Sequence, residues 1–211
     1  MKKLVLFAWL LLPVGAFAYH FGPGQTLVRE DAAAAALERA SDAAARARSI
    51  AAKDGDDAAR DAWSEADEAY GEALAALPPE RVGESRAIRL ERAKAQMFLS
   101  KLPEVRRDLE GLVEELANDP ATDAALLADA RGTLANSKYY MTWLMRLEGA
   151  PREDWEKEIE SSRQIYKLLA EEAESKGDAS AALRAKEDLE SAVKLARAEL
   201  HDLQGLPLPS Q

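Results

Sequence analysis

The chain has 211 residues, 47% of them hydrophobic and 31% charged, with 28 basic against 38 acidic side chains and no cysteine. That apolar content is too high for a disordered chain, and the length suits one globular domain. The acidic balance excludes nucleic acid as an expected partner, because phosphates call for a basic patch, and the missing cysteines exclude a disulfide framework.

The composition also points to a class. Alanine is abundant and is followed by leucine, glutamate, arginine and lysine, the residues of highest helix propensity. No useful run of alternating β-branched residues occurs, so the expected fold is all-α. Lys2 and Lys3 precede an apolar run from Leu4 to Val14, and Ala16, Phe17 and Ala18 supply a small-residue cleavage motif. Residues 1–18 therefore read as a signal peptide. The run is short for a bilayer span, so the expectation is an exported protein, periplasmic or extracellular, with no stable membrane anchor after cleavage.

Residues 19–28 read as an irregular lead-in, because Gly22, Pro23 and Gly24 interrupt regular structure. A single all-helical domain is expected over 29–203. Its first helix runs from about Leu27 to Lys53 along a stripe of small residues: Ala40, Ala44 and Ala47 with Leu37 and Ile50. Gly55 suits the stop, and Asp56 or Asp57 the next cap. The second helix carries Trp63, Ala66, Tyr70, Ala73 and Leu77 on one face and meets Pro78 and Pro79. The third spans about Gly83 to Lys101. The fourth follows a first-turn Pro103 to about Ala117, with Val105, Leu109, Leu112, Val113 and Leu116 inward.

The fifth helix, about Thr122 to Glu148, is the centre of the sequence. On a wheel of about 100° per residue, Leu134, Tyr139, Tyr140, Met141, Trp143, Leu144, Met145 and Leu147 cover about 240°. The remaining arc carries Lys138, Thr142 and Arg146. A surface helix needs an apolar stripe of only about 100°, so this one is expected to be covered on more than one side. Aromatics at helical spacing commonly pack as core. They also suit a groove, since tyrosine and tryptophan join a large apolar body to a polar tip. Tyr139, Tyr140, Trp143 and Arg146 are the candidate binding residues. Two adjacent tyrosines point about 100° apart, so at least one should lie near a surface or a second packing interface.

The sixth helix opens at Pro151 after Gly149 and uses Trp155, Ile159, Ser162, Tyr166, Leu169 and Ala173. Gly177 and Asp178 form a stop and cap. The seventh runs to about Leu203 with Leu189, Val193, Ala196, Leu200 and Leu203 inward, and residues 204–211 read as a flexible tail. Short links make neighbouring helices antiparallel, and both a stacked array of hairpins and a closed bundle fit.

Between about Ala59 and Glu172 the chain resembles the tetratricopeptide (TPR) family. Trp63 and Tyr70, seven apart on one helix, look like the first helix of a repeat. The stretch from Leu102 to Pro120 looks like a second helix with its closing Asp-Pro. Asp67 stands where that pattern has glycine. The resemblance implies a TPR-like helical-hairpin scaffold that binds peptides or proteins on a concave face.

No catalytic constellation emerges. His20 and His201 lack carboxylates at metal-helix spacing, and the Glu-x-x-His pattern of di-iron bundles is absent. Asp54, Asp56 and Glu65 match three positions of a calcium loop, but Ala58 and Ala59 stand where an oxygen ligand and glycine belong. No phosphate loop or nucleophile motif occurs. The expected function is a non-enzymatic, cofactor-free exported scaffold for a protein or peptide partner. The alternative is a helical bundle holding a small molecule or lipid, which would place a pocket among Tyr139, Trp143 and Met145.

Overall fold

A computed structural model describes residues 23–205. The expected signal peptide, the lead-in as far as Gly22 and the segment from Leu206 onward lie outside the described residues. Within them the fold is all-α, as the composition predicts: seven helices, a closing 3-10 turn and no strand among the described residues. The helices are α1 (Pro23–Asp54), α2 (Asp56–Ala76), α3 (Val82–Met97), α4 (Leu102–Asn118), α5 (Ala124–Leu147), α6 (Arg152–Ser175) and α7 (Ala179–Arg197), with the 3-10 turn over Leu200–Gly205. The sequence reads as one domain over 29–203, and contacts gather the chain into two compact units, one ending at Arg92 and one beginning at Ala93.

Helix α1 starts earlier than expected and takes in the lead-in from Pro23 onward. Proline is at home in a first turn, where its missing N–H would have no partner anyway. The start is also tied down: Arg29 donates to the carbonyls of Ala76 and Leu77 at 3.3 and 3.4 Å, and Arg81 pairs with Glu30 at 2.7 Å.

The first unit is organised as an antiparallel coiled-coil hairpin. Buried α1 positions are Ala33, Ala36, Ala40, Ala43, Ala44 and Ala47, and all but Ala44 step by three and four. Facing them are Ala59, Trp63, Ala66, Tyr70, Ala73 and Leu77, stepping by four and three. Alternating three and four is the heptad seam, and alanine lets the two backbones approach closely. One residue, Gly55, makes the reversal at φ 91°, a left-handed backbone that glycine adopts without a Cβ clash. Arg39–Glu72 and Arg46–Glu65 flank the seam at 2.7 and 2.6 Å, one heptad apart on each helix, and so share one register. Both pairs are exposed, so they mark the register more than they stabilise it. Asp67 is buried and accepts from Arg92 Nε of α3 at 2.6 Å. The same guanidinium lies over Gly71, where an added Cβ would meet it at 3.3 Å.

In the second unit α4 packs on α5, α5 on α6 and α6 on α7, and the 3-10 turn returns to α5. Val105, Leu109, Leu112 and Leu116 of α4 are buried, as are Trp155, Ile159, Ser162 and Tyr166 of α6, matching the predicted stripes. Asp123 and Asp178 cap α5 and α7 by accepting from Ala125 N and Ala181 N. Helix α7 departs from the expected stripe. Its buried face is Ala182, Ala185, Asp188, Ser191, Ala192 and Leu195, with Leu189, Val193 and Ala196 only half-buried. The face is turned by about one residue, since polar Asp188 and Ser191 lie inside. The helix also ends at Arg197 and not at Leu203.

An alanine seam has no spare volume. Ala40→Leu, at a position with no exposure, should destabilise the protein by about 1–3 kcal/mol in urea denaturation followed by circular dichroism. A gain in stability would show that the hairpin is loosely packed.

Candidate functional site

Helix α5 is enclosed through its middle. From Thr133 to Tyr139 every residue is buried, including Asn136, Ser137 and Lys138. The wide apolar arc foretells cover on several sides, yet the rotation of the helix differs from the simple expectation. The edge Lys138, Thr142, Arg146 faces inward, with Lys138 6% and Thr142 0% exposed, while Leu144 and Leu147 stand 36% and 41% exposed.

Buried polar groups need partners. Lys138 Nζ donates to Glu110 of α4 at 2.6 Å and Glu158 of α6 at 3.1 Å. Arg106 completes a square of alternating charge, 3.1 Å from Glu110 and 3.4 Å from Glu158. Partial burial pushes the Glu110 carboxyl up, but the hydrogen bond and charge of Lys138, with Arg106, more than offset it and hold Glu110 below its usual range. Thr142 donates to Lys138 O at 2.9 Å, and Ser137 to Leu134 O at 2.8 Å, so both hydroxyls are satisfied within the helix. Between helices, Ser162 of α6 donates to Ala135 O at 2.9 Å, and the Tyr166 hydroxyl donates to Asn136 Oδ1. Burial, with the carboxylate of Asp188 nearby, pushes the Tyr166 phenol well above its ordinary value.

The four candidate binding residues occupy different settings. Tyr139 has no exposed surface and belongs to a core with Trp155, Ile159, Tyr166, Leu195 and Leu203. It packs and presents nothing outward. Burial raises its phenol to about 12. Tyr140 meets Tyr139 edge-on at 5.7 Å between ring centroids and is only half-buried, so of the two it is the one near the surface. Trp143 is half-buried, and its Nε1 donates to Leu203 O at 3.2 Å. Arg146 donates from both terminal nitrogens, to Leu195 O and to Ala198 O, and lies 4.7 Å from the centroid of the Trp155 ring. Burial lowers its pKa, which the nearby charge of Glu199 partly offsets.

These contacts explain the early end of α7. No glycine or proline stands at Ala198. The last carbonyls of a helix lack intrahelical partners, and the fork of an arginine suits two of them. Arg146 takes up Leu195 O and Ala198 O, Ala198 turns extended, and the chain crosses α5 to bury Leu203. The sequence named Trp143 and Arg146 as candidate binding residues and gave no hint that their partners are backbone groups of the chain itself. Glu110, Glu158 and Asn136 were missed, and Ser162 was placed on the inward stripe of α6 without its partner. Only the excess width of the apolar arc signalled that the polar edge of α5 would be enclosed.

Elsewhere in the unit, an open depression of about 490 Å³ on the α6–α7 hairpin is lined by Glu174, Gly177, Ala179, Ala182, Leu183 and Lys186. It lies away from Tyr139, Trp143 and Met145. Comparison with protein families, with characterised proteins and with solved structures found no match.

Removing the Arg146 fork leaves two carbonyls without their donor and uncovers Trp155. Arg146→Ala should therefore cost about 2–3 kcal/mol in urea denaturation, with faster amide exchange over 198–205. An unchanged midpoint would show that water replaces the fork at no cost.

Proposed function

We propose that this chain is an exported, non-enzymatic, TPR-like helical scaffold that binds a protein or peptide partner in the cell envelope. The observation that carries this reading is the outer edge of α5. Single exposed apolar residues are ordinary on any surface, but Leu144 and Leu147 stand one turn apart on one face, flanked by half-exposed Tyr140. The opposite side of the same helix is fixed by ion pairs and backbone hydrogen bonds. An apolar strip on a rigid support loses little entropy when a partner covers it.

A second reading, a small-molecule or lipid-binding bundle, draws support from the depression beside Leu183. It is an open depression of about 490 Å³ with Ala179, Ala182 and Leu183 among its lining residues. Lys186 and Glu174 pair at its rim.

Leu144→Glu with Leu147→Glu separates the two readings. Both side chains are exposed, so stability should shift by less than about 1 kcal/mol. In pull-downs from native envelope extract with residues 19–211, the unaltered chain should retain a stoichiometric partner at moderate salt and the double variant should lose it. Equal retention by both would move the site off α5. Recovery of a bound small molecule or lipid with no protein would favour the second reading.

A further inference from the structure

We propose that the segment from Ala198 to Leu203 is an intramolecular occupant of a peptide-binding socket, and that a short peptide with a leucine-like anchor binds there when the segment lets go. The way the segment is held carries the inference. Arg146 donates to Ala198 O, and Trp143 Nε1 donates to Leu203 O at 3.2 Å, so both ends of the segment are gripped by their backbone carbonyls. Between them, Glu199, His201 and Asp202 are exposed. Leu203 is 2% exposed and joins the core cluster of Tyr139, Trp155, Ile159, Tyr166 and Leu195. Donors that take main-chain carbonyls, together with one anchored apolar side chain, are the means by which a bound peptide is read. The main-chain bonds give affinity whatever the sequence, and the anchor gives the choice. The Arg146 guanidinium also lies 4.7 Å from the centroid of the Trp155 ring, which orients the donor before a ligand arrives.

The segment also has another state open to it. The apolar spacing of α7 continues through Leu200 to Leu203, and Ala198, Glu199 and Leu200 are strong helix formers. Yet α7 ends at Arg197, because Arg146 holds the carbonyls of Leu195 and Ala198. Local preference and tertiary contact thus favour different states of the same residues. In one, α7 continues to about Leu203 and the socket is vacant; in the other, α7 stops and the socket is filled. An element held by few buried groups opens well before the whole domain unfolds. A peptide that needs the vacant socket shifts the balance towards that state. The short tether keeps the segment at an effective concentration of about millimolar, so a free peptide competes poorly while the segment is docked. The contact is therefore autoinhibitory, and it does not rest on the Leu144–Leu147 strip.

Leu203→Ser in the full chain should leave the socket vacant. A dye-labelled peptide with the sequence of residues 198–205 should bind this variant at least tenfold more tightly than the unaltered chain, by fluorescence anisotropy. The same peptide with serine in place of its second leucine should not bind. Equal binding of the two peptides, or no binding of either, would overturn the inference. Hydrogen exchange of the unaltered chain is the second measurement, and it decides the matter where circular dichroism shows the variant unfolded. Amides of 199–203 should exchange faster than those of 189–195, and the leucine peptide at millimolar concentration should speed them at least threefold while the serine peptide does not. Exchange that ignores the leucine peptide would overturn the inference. Such a failure would leave the strip reading standing, since neither Leu144 nor Leu147 is altered.

Discussion

The enclosure of one ammonium group sets the arrangement of the second unit. Lys138 lies 6% exposed between Glu110 and Glu158. Taking a charge out of water costs several kcal/mol, and only close, well-made pairing offsets it. Two carboxylates from two different helices supply that pairing, so α4, α5 and α6 must meet at this point and in this rotation. A well-packed apolar group in its place would hold the helices together as stably. What the charged square adds is a restriction on which face of α5 looks inward.

Once that face is set, the rest follows along the helix. Thr142, one turn on, closes its own hydroxyl within α5, and Arg146, two turns on, reaches the end of α7. The helix stop at Ala198 is therefore made by tertiary contact. The same rotation leaves Leu144 and Leu147 outside, which is why an exposed apolar strip occurs on the helix most heavily buried in its middle. The first unit obeys a different logic. Its α1–α2 seam sets alanines of α1 in heptad steps against Trp63, Tyr70 and alanines of α2, and the Arg39–Glu72 and Arg46–Glu65 pairs lie outside the seam. Close backbone approach does there what polar pairing does in the second unit.

Much of the fold was legible in the sequence. Helix count and type followed from alanine, leucine and glutamate content, and most ends followed from Gly55, Pro78, Asp178 and similar punctuation. The stripes of α2, α4 and α6 could be read because their inward residues are apolar and regularly spaced. The face of α7 could not, since Asp188 and Ser191 sit inside it and break the pattern. The site on α5 was half legible. Periodicity located the crowded stretch from Tyr139 to Leu147. It left Lys138, Thr142 and Arg146 as the remaining polar arc, because polarity alone says nothing of where a partner waits. Glu110, 28 residues upstream of Lys138, and Glu158, 20 residues downstream, are surface-like glutamates by every local criterion. The lead-in was misjudged for a simpler reason: Pro23 opens a helix as readily as it breaks one.

The most direct test is brief acetylation of the native protein with acetic anhydride, followed by mass spectrometry of each lysine. Lys138 should be protected at least tenfold relative to exposed Lys157 of α6, and the protection should vanish in urea. Labelling of Lys138 at the rate of Lys157 in the folded protein would place the polar edge of α5 in solvent and contradict the arrangement described.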